Sequence, residues 1–144
     1  MSNHMTAWQL WAVLSAVFAA LTALFAKIGV EGVNPDLATF IRTVVIVIAL
    51  AAMLLATGQF QTPGNSSPTN LLSLVLSGLA TGASWVCYFR ALKLGNASQV
   101  APIDKLSVVL VALFGATFLG EKLSIMNWAG VVLIAGGAIL VGLR

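Results

Sequence analysis

Charge is what this chain of 144 residues has least of. Only 8% of its residues are Asp, Glu, Lys or Arg, seven cations against four anions, where a soluble domain carries about 25%. Too few polar side chains are present to cover a surface in water, which excludes an ordinary soluble domain. Histidine occurs once, at His4, so a His-based metal centre has no ligand set, and no metal or cofactor is expected. Cysteine also occurs once, at Cys87 inside an apolar run, so no intramolecular disulfide can form. No Ser/His/Asp set and no phosphate-cradling glycine loop is visible, and the chain does not read as an enzyme. Lys and Arg are missing from the first five residues, unlike the positive start of a cleaved signal peptide. The first apolar run therefore reads as a helix of the mature protein. Ser2-Asn3-His4-Met5 is compatible with a cloning remnant ahead of a native start at Met5.

What is present is hydrocarbon. Sixty per cent of the residues are hydrophobic and the mean hydropathy is +1.03. A helix needs about 20 apolar residues to cross a bilayer, and five stretches qualify, at approximately 8–27, 37–56, 71–92, 98–119 and 124–143. Period-two alternation is absent and the runs are too long for strands. The fold class predicted is an all-α membrane protein, a bundle of about five transmembrane helices forming a single domain over residues 1–144. Asn34 is placed to cap the second helix with Pro35 at its first position. The linker from Thr57 to Asn70 is uncharged and rich in Gly, Pro, Ser and Asn, a loop too short to be a domain. Asn65-Ser66-Ser67 and Asn96-Ala97-Ser98 match a glycosylation sequon, a pattern frequent by chance.

The pI near 9.5 reads as membrane topology rather than a nucleic-acid surface, and no nucleic-acid partner is expected. With five spans, Lys27, Arg90, Lys93 and Arg144 fall on one side, against Lys122 on the other. The positive-inside rule then favours a cytoplasmic C-terminus and an external N-terminus in the inner (plasma) membrane. The bias is modest and permits dual topology.

Ionisable residues inside a span are costly and are functional candidates by default. Arg42 lies about two turns into the second helix, and Asp104 and Lys105 lie at similar depth in the fourth. All three then share one layer, and an Arg42–Asp104 pair is open to them. The competing reading has Arg42 and Lys105 snorkelling to the interface while Asp104 caps the start of its helix. Pro102 fits the first turn of the fourth helix; placed deeper, it would free backbone carbonyls toward a polar cavity. Trp85 is a pathway candidate or an inner-boundary aromatic. Glu121 and Lys122 follow Gly120 in a tight turn, where Glu121 has a structural role. Small residues recur at helix-packing spacing, at Gly78 and Gly82, at Ala112, Ala116 and Gly120, and at Gly130, Gly136 and Gly137, with Ala138 and Gly142 four apart. Such faces serve helix packing or a dimer seam.

Three stretches resemble a known family. Phe25-Ala26-Lys27-Ile28-Gly29-Val30-Glu31-Gly32-Val33-Asn34-Pro35 is followed by Phe40-Ile41-Arg42. Tyr88-Phe89-Arg90-Ala91-Leu92-Lys93-Leu94-Gly95-Asn96-Ala97-Ser98 leads into Val100-Ala101-Pro102-Ile103. Phe118-Leu119-Gly120-Glu121-Lys122-Leu123 precedes Trp128-Ala129-Gly130 and a glycine-rich last helix. In order and spacing these resemble a single EamA domain of the drug/metabolite transporter superfamily. The chain departs from that pattern at Asn96, where Pro is frequent, and at Asp104-Lys105, where uncharged residues are common. The resemblance implies a secondary transporter subunit that moves a small metabolite or drug-like solute by alternating access, with helices one to four lining the cavity. Typical members hold two such domains as inverted repeats, with the substrate site between them. One domain then implies a dimer, either an antiparallel homodimer or a complex with a related five-helix partner. A non-transporting accessory subunit and a flippase subunit for a lipid-linked solute are the alternatives.

Overall fold

The computed structural model describes residues 7–60 and 67–143. His4, the segment Ser2 to Met5, Arg144 and most of the Asn65-Ser66-Ser67 sequon lie outside the described residues. Among the described residues six helices follow one another: α1 (Ala7–Val30), α2 (Pro35–Ala56), α3 (Pro68–Leu94), α4 (Ala97–Asp104), α5 (Ser107–Phe118) and α6 (Ile125–Gly142). No strand occurs among the described residues. Five spans are long and apolar enough to cross a membrane, with α4 and α5 together making one of them, Ala97–Phe118. The protein is an all-α membrane protein, as the composition predicts.

The helices begin and end where local chemistry allows. The Asn34 carboxamide accepts from the N–H groups of Asp36 and Leu37 at 2.9 and 3.3 Å, which satisfies two orphan donors of α2, and Pro35 has no N–H to satisfy. Past the other end of α2, Gly58 has φ +66°. Its N–H donates to Leu55 O and that of Gln59 to Leu54 O, a Schellman closure that needs a residue without Cβ strain. Ser124 caps α6 through its hydroxyl, which accepts from Asn127 N–H at 3.2 Å. Within the spans, hydroxyls return to their own helix: Thr39 to Pro35 O, Thr43 to Thr39 O, Thr81 to Ser77 O and Thr117 to Leu113 O, all at 2.8–2.9 Å. A donor with no water to meet is satisfied one turn back.

The fourth predicted helix, 98–119, is interrupted. Helix α4 starts at Ala97, so Pro102 is its sixth residue rather than part of its first turn. Proline has no N–H to offer the Ser98 carbonyl. The chain then tightens, with Lys105 donating to Pro102 O at 3.1 Å, Leu106 to Ile103 O at 2.9 Å, Val108 to Lys105 O and Val109 to Leu106 O at 3.0 Å. These i→i−3 bonds make a 3₁₀ turn between α4 and α5. Asp104 therefore closes α4 and does not cap the start of a helix.

The chain divides into two compact units, residues 28–93 and residues 1–27 with 94–144. In the first of these the turn after α1 is anchored by Lys93, whose ammonium donates to Val30 O and Glu31 O at 2.7 Å and to Val33 O at 3.4 Å. A cation on the terminal carbonyls satisfies orphan acceptors and the helix dipole together. Val30 and Leu92 are fully buried and Phe89 nearly so. By contrast, every residue from 67 to 84 is exposed.

In the other unit α6 packs along α4 and α5. Ala138 is buried, and a Cβ on Gly142 would run into the Ile103 side chain. Gly130, Gly136 and Gly137 face open space. At 100° per residue, the Ala138/Gly142 face and the Gly130/Gly137 face lie roughly 110° apart around α6. One small-residue face is thus used for packing inside the chain and the other is open. Lys27, near the end of α1, donates to Gly95 O at 3.1 Å. Large apolar side chains such as Trp8, Phe25, Leu133 and Leu140 stand exposed, as a surface facing hydrocarbon requires.

Candidate functional site

The densest arrangement of polar and aromatic groups lies where the start of α2 runs antiparallel to the end of α3. Two contacts fix the register. Asp36 meets Arg90, and Arg42 meets Trp85, so paired residue numbers sum to 126 and 127. Six residues of helix separate Asp36 from Arg42, a rise of about 9 Å. The acid therefore sits at the mouth of the pair and Arg42 deeper along it.

At the mouth, Arg90 grips Asp36 with both arms of its fork, Nε to Oδ1 at 2.9 Å and Nη2 to Oδ2 at 2.8 Å. Planar guanidinium and carboxylate match in this bidentate geometry. Both side chains are more than half exposed. Deeper, the Arg42 guanidinium carbon lies 4.0 Å from the centroid of the Trp85 ring and 5.5 Å from that of Phe89. Trp85 and Phe89 are one turn apart on α3 and so present adjacent rings to one cation. Arg42 and Trp85 are half-buried, and Phe89 is buried. Among the described residues of this unit no carboxylate pairs with Arg42; Asp36 is committed to Arg90. Phe89 and Arg90 were not among the residues the sequence singled out as pathway candidates. The signal for Phe89 is the i, i+4 step from Trp85, readable only once Arg42 is known to lie opposite.

The other two charged candidates stand in the second unit. Lys105 Nζ lies 3.3 Å from Asp104 Oδ2. Adjacent residues on a helix point about 100° apart, and the flexible four-carbon stem of Lys105 spans that difference. Further along, the Gly115 carbonyl accepts from both Leu119 N–H at 3.2 Å and Glu121 N–H at 3.0 Å. Gly120, at φ +67°, makes that turn. The Glu121 carboxylate folds back onto Gly115, where an added Cβ would lie 2.6 Å from its Oε2. Glu121 therefore packs against the end of α5. Gly78 and Gly82 have no heavy atom within 4 Å of an added Cβ. No group of acids, cysteine and histidine among the described residues could hold a metal ion.

Five apolar spans define a polytopic helical membrane protein. The chain belongs to the EamA-like transporter family, which it matches over residues 6–143. It is 64% identical over 133 residues to a Sinorhizobium sp. protein described as an uncharacterized transporter in the cobO 3′ region, covering 92% of this chain and 94% of that one. It is also 27% identical over 136 residues to the Bacillus subtilis (strain 168) uncharacterized transporter YxxF, covering 94% of this chain but 42% of that protein. No solved structure matches.

Proposed function

We propose that this chain is one half of a secondary transporter for a small metabolite or drug-like solute, working as a dimer by alternating access. One observation carries the reading. The chain holds one EamA-like unit with five spans yet covers 42% of the Bacillus transporter, which supports a working assembly of two such units. Inverted repeats in one polypeptide become oppositely inserted copies when each copy has an odd number of spans. A second copy of this chain, or a related five-helix chain, supplies the missing half. The exposed stretch of α3 bearing Gly78 and Gly82, and the open Gly130/Gly137 face of α6, are the surfaces on offer for it. Arg42 and Asp104, with Lys105 and Trp85, are the pathway residues of this reading, and residues 1–144 act as one domain in the inner membrane.

The test is the orientation of the N-terminus. In a Cys87→Ser background, a cysteine introduced near residue 7 is labelled with an impermeant maleimide from each side of the membrane. Labelling from both sides is expected of the antiparallel homodimer. Labelling from one side only would eliminate it and leave the heteromeric form. Cross-linking that finds only monomers in active proteoliposomes would sink both.

A further inference from the structure

We infer that Arg42 is a docking point for the oxyanion of the transported solute, a carboxylate or phosphate, with Trp85 and Phe89 as its platform. The inference rests on the transporter reading and names the chemistry of its solute.

A guanidinium divides its contacts between its faces and its edges. Its flat face stacks on aromatic rings, while its five N–H donors lie in its plane and point outward. At 4.0 Å from Trp85 and 5.5 Å from Phe89, Arg42 is held by ring faces. Stacking consumes none of the five donors. Among the described residues of its unit no hydrogen bond or ion pair uses them either. Arg90 shows what a satisfied guanidinium looks like a turn and a half away on the same helix pair, gripping the one carboxylate that α2 provides. On the α2–α3 pair two arginines share one acid, which leaves Arg42 half-buried and without an ion-pair partner among the described residues of the unit.

A cation at that depth in a span is costly unless it meets charge of opposite sign. An oxyanion can take two in-plane donors in the fork geometry that Asp36 takes from Arg90. An ammonium or other cationic solute would instead be repelled, and a neutral apolar solute would leave the donors unanswered. The platform adds shape: the Trp85 and Phe89 rings are flat and apolar, so an anion carrying a planar or apolar body can pack against them beside the guanidinium.

Two sources carry this chemistry, a free solute and a lipid headgroup phosphate, and the test separates them. In the full chain carrying Trp8→Phe, Trp11→Phe and Trp128→Phe, Trp85 is the only indole and reports on the site by fluorescence. Purified, lipid-depleted protein is titrated with sodium benzoate, with inorganic phosphate, and with benzamide at matched ionic strength. A saturable response to benzoate or phosphate and none to benzamide is expected. Arg42→Gln should weaken it by about tenfold or more, the loss of one bidentate charged contact. Arg42→Lys, which keeps the charge and loses the fork, should fall between and guards against a folding defect. If native mass spectrometry finds phosphatidylglycerol retained by the wild type but not by Arg42→Gln, and benzoate fails to displace it, the oxyanion is the headgroup's and the solute assignment is overturned. An Arg42→Gln protein that responds like the wild type, or equal responses to benzoate and benzamide, would overturn the site altogether. So would a chain that binds benzoate only after Asp104→Asn, because Arg42 would then serve an internal acid. Binding is measured apart from transport: solute flux in proteoliposomes with no Arg42-dependent anion binding removes this inference and leaves the transporter reading standing.

Discussion

At the scale of single residues, the four acids of the chain have four different environments. Asp36 is clasped by Arg90, Asp104 pairs with Lys105, Glu121 lies on Gly115, and Glu31 sits on the turn after α1. Only Asp104 lies at a helix interruption within a span, next to the proline that withdraws a backbone donor. Asp104→Asn is expected to abolish transport while membrane insertion stays intact; uptake or efflux at the wild-type rate would remove Asp104 from the mechanism. Gly120 tests the backbone. At φ +67° an added Cβ is strained by roughly 1–2 kcal/mol, so Gly120→Ala should lower stability by about that much in a denaturation series in detergent. Gly120→Asn should cost less, since Asn tolerates the left-handed region. Gly142→Val should destabilise by about 1–3 kcal/mol through overpacking on Ile103. Adding Ile103→Ala should recover much of that, and simple additivity in the double-mutant cycle would show that the two do not touch.

At the scale of elements, the instructive helix is the fourth. Its residues are apolar enough to read as one span, and the sequence predicts it as continuous from 98 to 119. The pair α4 and α5 spans the same stretch but with a 3₁₀ turn at Lys105 and Leu106. A turn of i→i−3 bonds inside a helix is poorer in geometry than its neighbours and is a common place for a hinge. Pro102→Ala would return a donor to the Ser98 carbonyl. Slower hydrogen exchange across residues 102–108 is expected, and no change there would detach the proline from the turn. The loop after α1 depends on a single ammonium. Lys93→Met strips Val30, Glu31 and Val33 of their shared donor, so amides of residues 30–34 should exchange faster while the middle of α2 is unaffected. Uniform acceleration would show that Lys93 stabilises the whole unit rather than the turn.

For the whole molecule, the deciding feature is how little of the chain is buried. Six apolar residues qualify as core among the described residues, and a long run of α3 has no covered side chain. Hydrocarbon can cover apolar helix faces at no cost. Faces carrying Gly78, Gly82, Gly130 and Gly137 gain more from a helix backbone at close range, because association in lipid is driven by packing rather than by exclusion of water.

The sequence by itself determined the solvent and the element type. Hydropathy and helical length are local properties, so five spans and the cap at Asn34 could be read residue by residue. It marked Arg42 and Trp85 as candidates but gave no reason to join them, since they are far apart along the chain and no periodicity links one helix to another. Tertiary structure decided that pairing, gave Asp36 to Arg90 rather than to Arg42, and divided the glycines of α6 between a packed face and an open one. The physical reason is the same in each case. Which group a charge or a bare Cα meets depends on helix register and rotation, and those are set by packing between segments.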